Sequence, residues 1–426
     1  MTSQDPIANP TLKDASKTWL KIGLMSFGGP AAQISLMHKI LVDERKWLSE
    51  KTYLNALSFC MLLPGPEAMQ LAAWSGWRLH GVLGGLIAGL SFILPGAIVV
   101  LLLAGLYAEF GAAPLVQALF LGVKAAVIII VVEALLRISK RALHRRDHRI
   151  LAGLAFVAIF FFDVPFPAII LAAGLYGYLT SRGSTDTTAP PAAGILRRTV
   201  ATALFWLALW LVPLAALWMV FGSGDILVEI GLLFSKLAVV TFGGAYAVLA
   251  YLGQEVAINR AWLTAPEMID ALGLAETTPG PLILVTEFVA YLAGEKAGGL
   301  WLGLGAAAVG LWMTFIPCFL WVFTGAPFID RLDKAPKLSG ALSAITASVV
   351  GVILNLGIWF ALHTLFGAVS QEIYGPLSLW LPEPASFDWR AALLTGVAAI
   401  LFLRFHSGLG KGLALMALSG WAISQL

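Results

Sequence analysis

The sequence predicts an all-α polytopic membrane protein built from two homologous halves. Three observations carry that prediction. The 426-residue chain is 59% apolar and only 12% charged, whereas a soluble domain carries about 25% charged residues. Gly81 to Tyr107 contains no Asp, Glu, Lys or Arg, a run longer than the roughly 20 residues that cross a bilayer. Three motifs also recur in the same order at one spacing. Phe27-Gly28-Gly29 and Phe242-Gly243-Gly244 lie 215 positions apart (242 − 27), as do Trp47-Leu48 and Trp262-Leu263, and Pro64-Gly65-Pro66 and Pro279-Gly280-Pro281. Of the 40 aligned positions from Phe27 to Pro66, 12 are identical, which marks a tandem duplication. A β-barrel is disfavoured, because the apolar runs are continuous rather than alternating.

The apolar segments follow in order. The first copy has 18–36, 53–79 interrupted by Pro-Gly-Pro, 81–107, 113–136, 150–162 and 166–181. A linker rich in Ser, Thr, Pro and Gly covers 182–194, and a single span covers 198–221. The second copy repeats the series as 231–253, 268–294 with its own interruption, 297–324, 338–366, 390–404 and 408–425. Pro95 matches Pro317 and Glu133 matches Asn355 at an offset of 222, so seven residues (222 − 215) are inserted near Gly294 to Gly299. The expected organisation is a first repeat over 1–181, a linker and connecting span over 182–222, and a second repeat over 223–426. Full crossing by every segment gives about 13 membrane segments. In the alternative, the segments carrying Phe-Gly-Gly and Pro-Gly-Pro are re-entrant hairpins, since their half-helices are short for crossing alone.

Lysine and arginine set the expected orientation. Arg137, Lys140, Arg141, Arg145, Arg146 and Arg149 mark a cytoplasmic loop, and the corresponding segment 367–389 has acidic residues with no Lys or Arg. The two copies are therefore expected to be inverted, with 198–221 as the odd crossing; a parallel repeat is the alternative. No cleavable signal peptide is read from the polar first residues. Cys60 and Cys318 sit in apolar segments and read as core residues rather than a disulfide or metal ligands.

The interruptions are the first candidate site. Two prolines flanking a glycine end a helix, and in a bilayer the freed backbone groups need partners. The second proline suits the first turn of a new helix, whose positive end attracts anions. Pro64, Gly65, Pro66, Pro279, Gly280 and Pro281, with the glycine pairs Gly28-Gly29 and Gly243-Gly244, are thus expected to hold an anion on backbone. Close helix packing at the glycines is the structural alternative. Lys124 lies mid-span, where a lysine costs roughly 2.5–3.5 kcal/mol; it is expected to face an anionic substrate, or else a carboxylate such as Glu67. Glu67, Glu276 and Glu287 beside the interruptions are read as proton carriers or as helix caps. Arg45 and Arg78 are pathway candidates or interfacial anchors, Arg45 with Trp47. Nothing reads as an enzyme: no phosphate-binding loop, nucleophile elbow or Cys/His cluster is present in the sequence.

These motifs resemble the chromate ion transporter family in its long two-domain form. The resemblance rests on Phe27-Gly28-Gly29-Pro30, Glu44-Arg45-Lys46-Trp47-Leu48, Leu63-Pro64-Gly65-Pro66 with Gln70-Leu71, Gly76 to Gly81, and Gly89 to Pro95. In the second half, Thr241 to Tyr246 and Leu274 to Leu282 carry it. It implies a multi-pass protein of the bacterial inner membrane that exports chromate, driven by the proton gradient, and confers chromate resistance. Sulfate, also a tetrahedral dianion, is the implied competitor and the alternative substrate; a non-transporting scaffold or sensor is a further alternative. Chromate, protons and membrane lipid are the expected partners, a homodimer stays open, and neither a cofactor nor nucleic acid is expected. Glu67 departs from the family pattern, which has a small or apolar residue there, and so does Asn259, where glycine is frequent.

Overall fold

The computed structural model describes residues 10–181, 193–242, 245–329 and 336–425. Its helices in chain order are α1 (Leu12–Met25), α2 (Gly29–His38), α3 (Glu50–Leu62), α4 (Glu67–Phe110), α5 (Pro114–Ala142), α6 (Arg146–Phe162) and α7 (Phe166–Thr180), then α8 (Ala193–Phe221), α9 (Ile226–Val240), α10 (Ala245–Gly253), α11 (Ala265–Thr277), α12 (Val285–Gly298) and α13 (Leu300–Gly325). A long helix α14 (Pro336–Leu365), an antiparallel hairpin of β1 (Val369–Tyr374) and β2 (Leu377–Pro382), α15 (Trp389–Ala399) and α16 (Leu409–Ser424) complete it. Caps fix several starts: Thr11, Ser49, Asp225 and Asp388 each accept a backbone N–H of the first turn of α1, α3, α9 and α15, which satisfies donors that the helix itself leaves free.

The duplication is written in local conformation as well as in residues. Both ends of α3 and α11 are 215 positions apart, and one turn of π-helix stands at Lys39–Glu44 and again at Gln254–Asn259. After each π turn the same bonds form: Arg45 N–H to Ile40 O (2.9 Å) and Trp47 N–H to Leu41 O (2.8 Å), against Arg260 N–H to Glu255 O (3.0 Å) and Trp262 N–H to Val256 O (2.9 Å). Lys46 and Ala261 then share a positive φ, 53° and 51°. Further on, Pro114 and Pro336 open α5 and α14 at offset 222, and α7 and α16 start 243 apart. Asp163 and His406 match at that last offset, with φ of 48° and 49°. The difference, 21 residues (243 − 222), is the insertion that holds the β-hairpin, where the sequence reads as a plain loop.

The chain packs as two compact units that interleave the copies. One takes Met1–Leu102, Gly183–Gly244 and Thr278–Pro336; the other takes Leu103–Arg182, Ala245–Thr277 and Lys337–Leu426. In the first unit, α8 lays Trp206 flat against Phe319 of α13 (centroids 5.6 Å apart, planes at 23°), and Trp210 donates to Ser235 of α9 at 3.1 Å. In the second, α5 and α16 meet backbone to backbone: a side chain at Gly122 meets the Met416 carbonyl, and one at Gly420 meets Gly122 N. Small residues at such crossings let helices approach closely in lipid, where apolar burial supplies no drive.

Length divides the helices. Glu67–Phe110, Pro114–Ala142, Leu196–Phe221, Leu300–Phe328 and Pro336–Leu365 are long and apolar enough to cross a membrane, and Phe166–Thr180 and Leu409–Ser424 are apolar but shorter. α4 is kinked at His80 (φ −137°) and Gly81 (φ 62°). Its 67–79 arm, like α3, α11 and α12, is therefore about 20 Å long at 1.5 Å per residue, short of the ~30 Å hydrocarbon core. One boundary corrects the sequence reading. α5 runs to Ala142, so Arg137, Lys140 and Arg141 lie on its last turns, where cations offset the helix dipole, and the loop proper is shorter.

Candidate functional site: paired helix breaks and a buried ion pair

The two Pro-Gly-Pro motifs fall in gaps between helices. α3 stops at Leu62 and α4 starts at Glu67; α11 stops at Thr277, and a 3₁₀ turn at Leu282–Leu284 leads into α12. Pro66 directly precedes α4, and Pro281 caps the 3₁₀ turn before α12, so neither proline lies inside a first turn. Gly65 and Gly280 have φ of +122° and +92°, a region that L side chains enter only under strain.

Both breaks lie in the first unit, and each is tied to the other copy. Gly65 N–H donates to Thr241 O at 2.9 Å, and Gly280 N–H donates to Ser26 O at 2.8 Å. Thr241 and Ser26 are themselves 215 apart and immediately precede the two Phe-Gly-Gly motifs. A second layer repeats the exchange: Gly96 of α4 packs against the Pro279 carbonyl and Gly280, while Cys318 of α13, its partner at offset 222, packs on Gly65. Buried glutamines brace the breaks. Gln70 Nε2 donates to Pro64 O (2.7 Å), and Gln33 Nε2 donates to Gly280 O (2.6 Å) and Ser26 O (3.2 Å). The Oε1 of each glutamine is buried without a hydrogen-bond partner among the described residues. Gly28 and Gly29 have positive φ, 86° and 77°, and Gly29 opens α2; Gly243 and Gly244 lie outside the described residues. Both cysteines are buried and free.

The second unit holds Lys124. Its Nζ is 3.3 Å from Oδ2 of Asp270 on α11, and the same oxygen accepts the Tyr107 hydroxyl of α4 at 2.7 Å. The two charged side chains are 16% and 4% exposed, so the pair is buried. The lysine's carboxylate is thus Asp270, not Glu67 as the sequence suggests. The sequence reading passes over Asp270, which lies between Glu267 and Glu276 with no local pattern to mark it. Glu133, by contrast, bonds Arg137 at 2.7 Å one turn along α5.

The remaining candidates separate. Glu287 of α12, in the first unit, is 1% exposed, and its Oε2 has no hydrogen-bond partner among the described residues. Glu276 of α11, in the second unit, accepts the Tyr246 hydroxyl at 2.7 Å. Glu67 sits in the first turn of α4, where its charge complements the dipole. The guanidiniums of Arg45 and Arg260 lie over Trp47 and Trp262 at 5.9 and 5.1 Å, a matched pair of cation–π contacts. Arg78 is exposed and lines a cavity of about 330 Å³ with Thr52, Asn55, Trp74 and Trp77. Among the described residues no group of three or more His, Cys, Asp or Glu is placed to hold a metal.

Comparison with known proteins gives the family. Residues 14–178 and 228–423 match the chromate transporter family. A chromate transport protein of Pseudomonas aeruginosa is 35% identical over 79% of this chain and 77% of its own. One of Cupriavidus metallidurans is 29% identical over 83% and 84%, and a probable chromate transport protein of Synechococcus elongatus is 29% identical over 92% and 96%. No solved structure matches the chain. With two family matches covering most of its length and several helices long enough to cross a bilayer, the chain is a multi-pass membrane protein belonging to the chromate transporter family.

Proposed function

We propose that this protein is a secondary transporter that carries chromate outward across the bacterial inner membrane, linked to the proton motive force, and so gives chromate resistance. The reciprocal exchange at the helix breaks carries this reading. Contacts of the type i to j and j to i are the mark of a two-fold relation. Gly65 with Thr241 and Gly280 with Ser26 form such a set, and Gly96 and Cys318 form another. α8, long enough to cross once between the copies, together with the lysine and arginine bias supports an axis in the membrane plane. The short arms on either side of each break are then re-entrant hairpins whose tips meet at membrane depth.

At those tips α4 begins directly, and α12 begins after one 3₁₀ turn. Their first N–H groups and positive dipole ends suit a tetrahedral dianion. Pro64, Gly65, Pro66, Pro279, Gly280 and Pro281, with Gly28 and Gly29, form the backbone cradle. Glu287, six residues after Pro281, is buried, and its Oε2 has no hydrogen-bond partner among the described residues, which suits a relay that passes on the coupled proton.

Labelled chromate flux into proteoliposomes, with sulfate as competitor and with and without an imposed pH gradient, tests this. Chromate flux that sulfate reduces is expected. Sulfate flux with chromate excluded points to a sulfate carrier, and no flux of either anion refutes transport and leaves a scaffold or sensor.

A further inference from the structure

We propose that Asp270, Lys124 and Tyr107 form a proton-gated anion station, in which a proton on Asp270 frees the ammonium and the phenol hydroxyl for the transported oxyanion. The inference rests on the transport reading and adds the coupling residue and the sign of coupling.

The geometry supports the switch. Asp270 Oδ2 takes both donors, from Lys124 at 3.3 Å and from Tyr107 at 2.7 Å. Oδ1 is buried and has no hydrogen-bond partner among the described residues, so it is the open position for a proton. While Asp270 is ionised the pair is neutral overall, and the carboxylate holds the donors and repels a dianion. A proton added to Oδ1 takes the pair from zero to one positive charge. The oxyanion then replaces the carboxyl as acceptor for Lys124 Nζ and Tyr107 Oη. When the anion leaves, the proton returns to water and the ion pair re-forms.

The charged groups around the switch come from the elements packed on α11. α11 packs on α5, on α16 and on the 254–259 turn. From α5 the facing charge is Lys124. α16 brings only Lys411, exposed in its first turn, and the 254–259 turn brings Glu255, which faces Arg260 at 3.5 Å. On α11 itself Glu267 acts on Asp270, but its Oε2 is held by the N–H and hydroxyl of Thr264 at 2.7 and 3.0 Å.

The duplication supplies an independent argument. The positions equivalent to Asp270 and Lys124 are Asn55 (270 − 215) and Thr346 (124 + 222), both uncharged. Most of the paired features occur twice; this charge pair occurs once. A single titrating station in a duplicated scaffold gives one coupled proton per cycle.

The sign follows from linkage. If the proton raises affinity for the anion, the anion raises affinity for the proton by the same factor, so both travel in one direction. A dianion with one proton carries one net negative charge, which an inside-negative potential drives outward. The membrane potential, rather than the pH difference, then supplies the drive for export.

The test uses proteoliposomes of the full chain, with external pH fixed so that the substrate's own protonation is constant and internal pH varied. Wild type is expected to accumulate chromate when the interior is alkaline. Asp270→Asn is expected to keep chromate–chromate exchange and to lose gradient-driven accumulation. Should that variant fail to fold, the double variant Lys124→Gln with Asp270→Asn removes both charges together and is expected to show no accumulation under the gradient. Accumulation under the gradient by either variant overturns the proposal. So does accumulation by wild type only when the interior is acidic, and so does loss of exchange in a folded Asp270→Asn protein. Absence of any chromate flux in wild type is a different result: it refutes the transport reading beneath.

Discussion

Replacing Gly65 or Gly280 with alanine probes the breaks on which the proposed site depends. At both positions the backbone is at φ values, +122° and +92°, that alanine adopts only with strain, at a cost of about 1–3 kcal/mol. Space adds to the penalty. A Cβ on Gly65 comes within 2.7 Å of Gln70 Nε2 and 3.0 Å of Cys318 Sγ, so the glutamine has to leave its bond to Pro64 O, a further ~0.5–1.5 kcal/mol. A Cβ on Gly280 meets the flexible end of Leu284 at 3.0 Å and the fixed Phe92 carbonyl at 3.3 Å, so most of its cost is in the dihedral. Gly65→Ala is therefore expected to be the more damaging of the two. Gly153→Ala is the control: it sits inside α6 with open space around it, and alanine there gains about 0.5–1 kcal/mol. Unfolding midpoints of the three purified variants, with chromate flux, make the comparison. Gly65→Ala and Gly280→Ala proteins as stable and active as wild type would refute the argument that these two conformations are required.

Other perturbations test other joints. Lys124→Ala leaves the buried Asp270 with Tyr107 but without its counter-charge and is expected to cost about 3–5 kcal/mol, whereas replacing both by neutral residues of similar size costs much less; a double-mutant cycle on unfolding midpoints reads the difference, and additive losses would contradict the pairing. Gly122→Leu drives a side chain into the Met416 carbonyl and is expected to lose about 1–3 kcal/mol or to shift α16, seen as reduced protein in the membrane. Excising residues 367–387, which restores the first copy's spacing and keeps the Asp388 cap of α15, is expected to leave membrane insertion intact; loss of folded protein would make the hairpin structural.

Much of the fold is legible in the sequence because membrane helices announce themselves by composition. The duplication also lets each copy check the other: Pro-Gly-Pro ends a helix in both, since proline lacks the donor and clashes with the preceding turn. What the residues do not announce is partnership. Lys124 is conspicuous as a charge in an apolar helix, but Asp270 lies in a stretch with Glu267 and Glu276, and nothing local distinguishes the carboxylate that faces inward. The π turns at 39–44 and 254–259 are similarly silent. The hairpin at 369–382 lacks the tight-turn pair that signals one from sequence, its turn being Gly375 followed by Pro376. The reciprocal bonds of Gly65 and Gly280 are backbone to backbone, and no side-chain pattern encodes them.

The most direct measurement is the position of chromate itself, located by its chromium signal in an experimental structure of the full chain. Chromium density beside the first backbone N–H groups of α4 and α12, next to Gly65 and Gly280, is the predicted result. Chromium bound only at a site remote from both breaks, with the two helix starts empty at saturating chromate, would contradict the account.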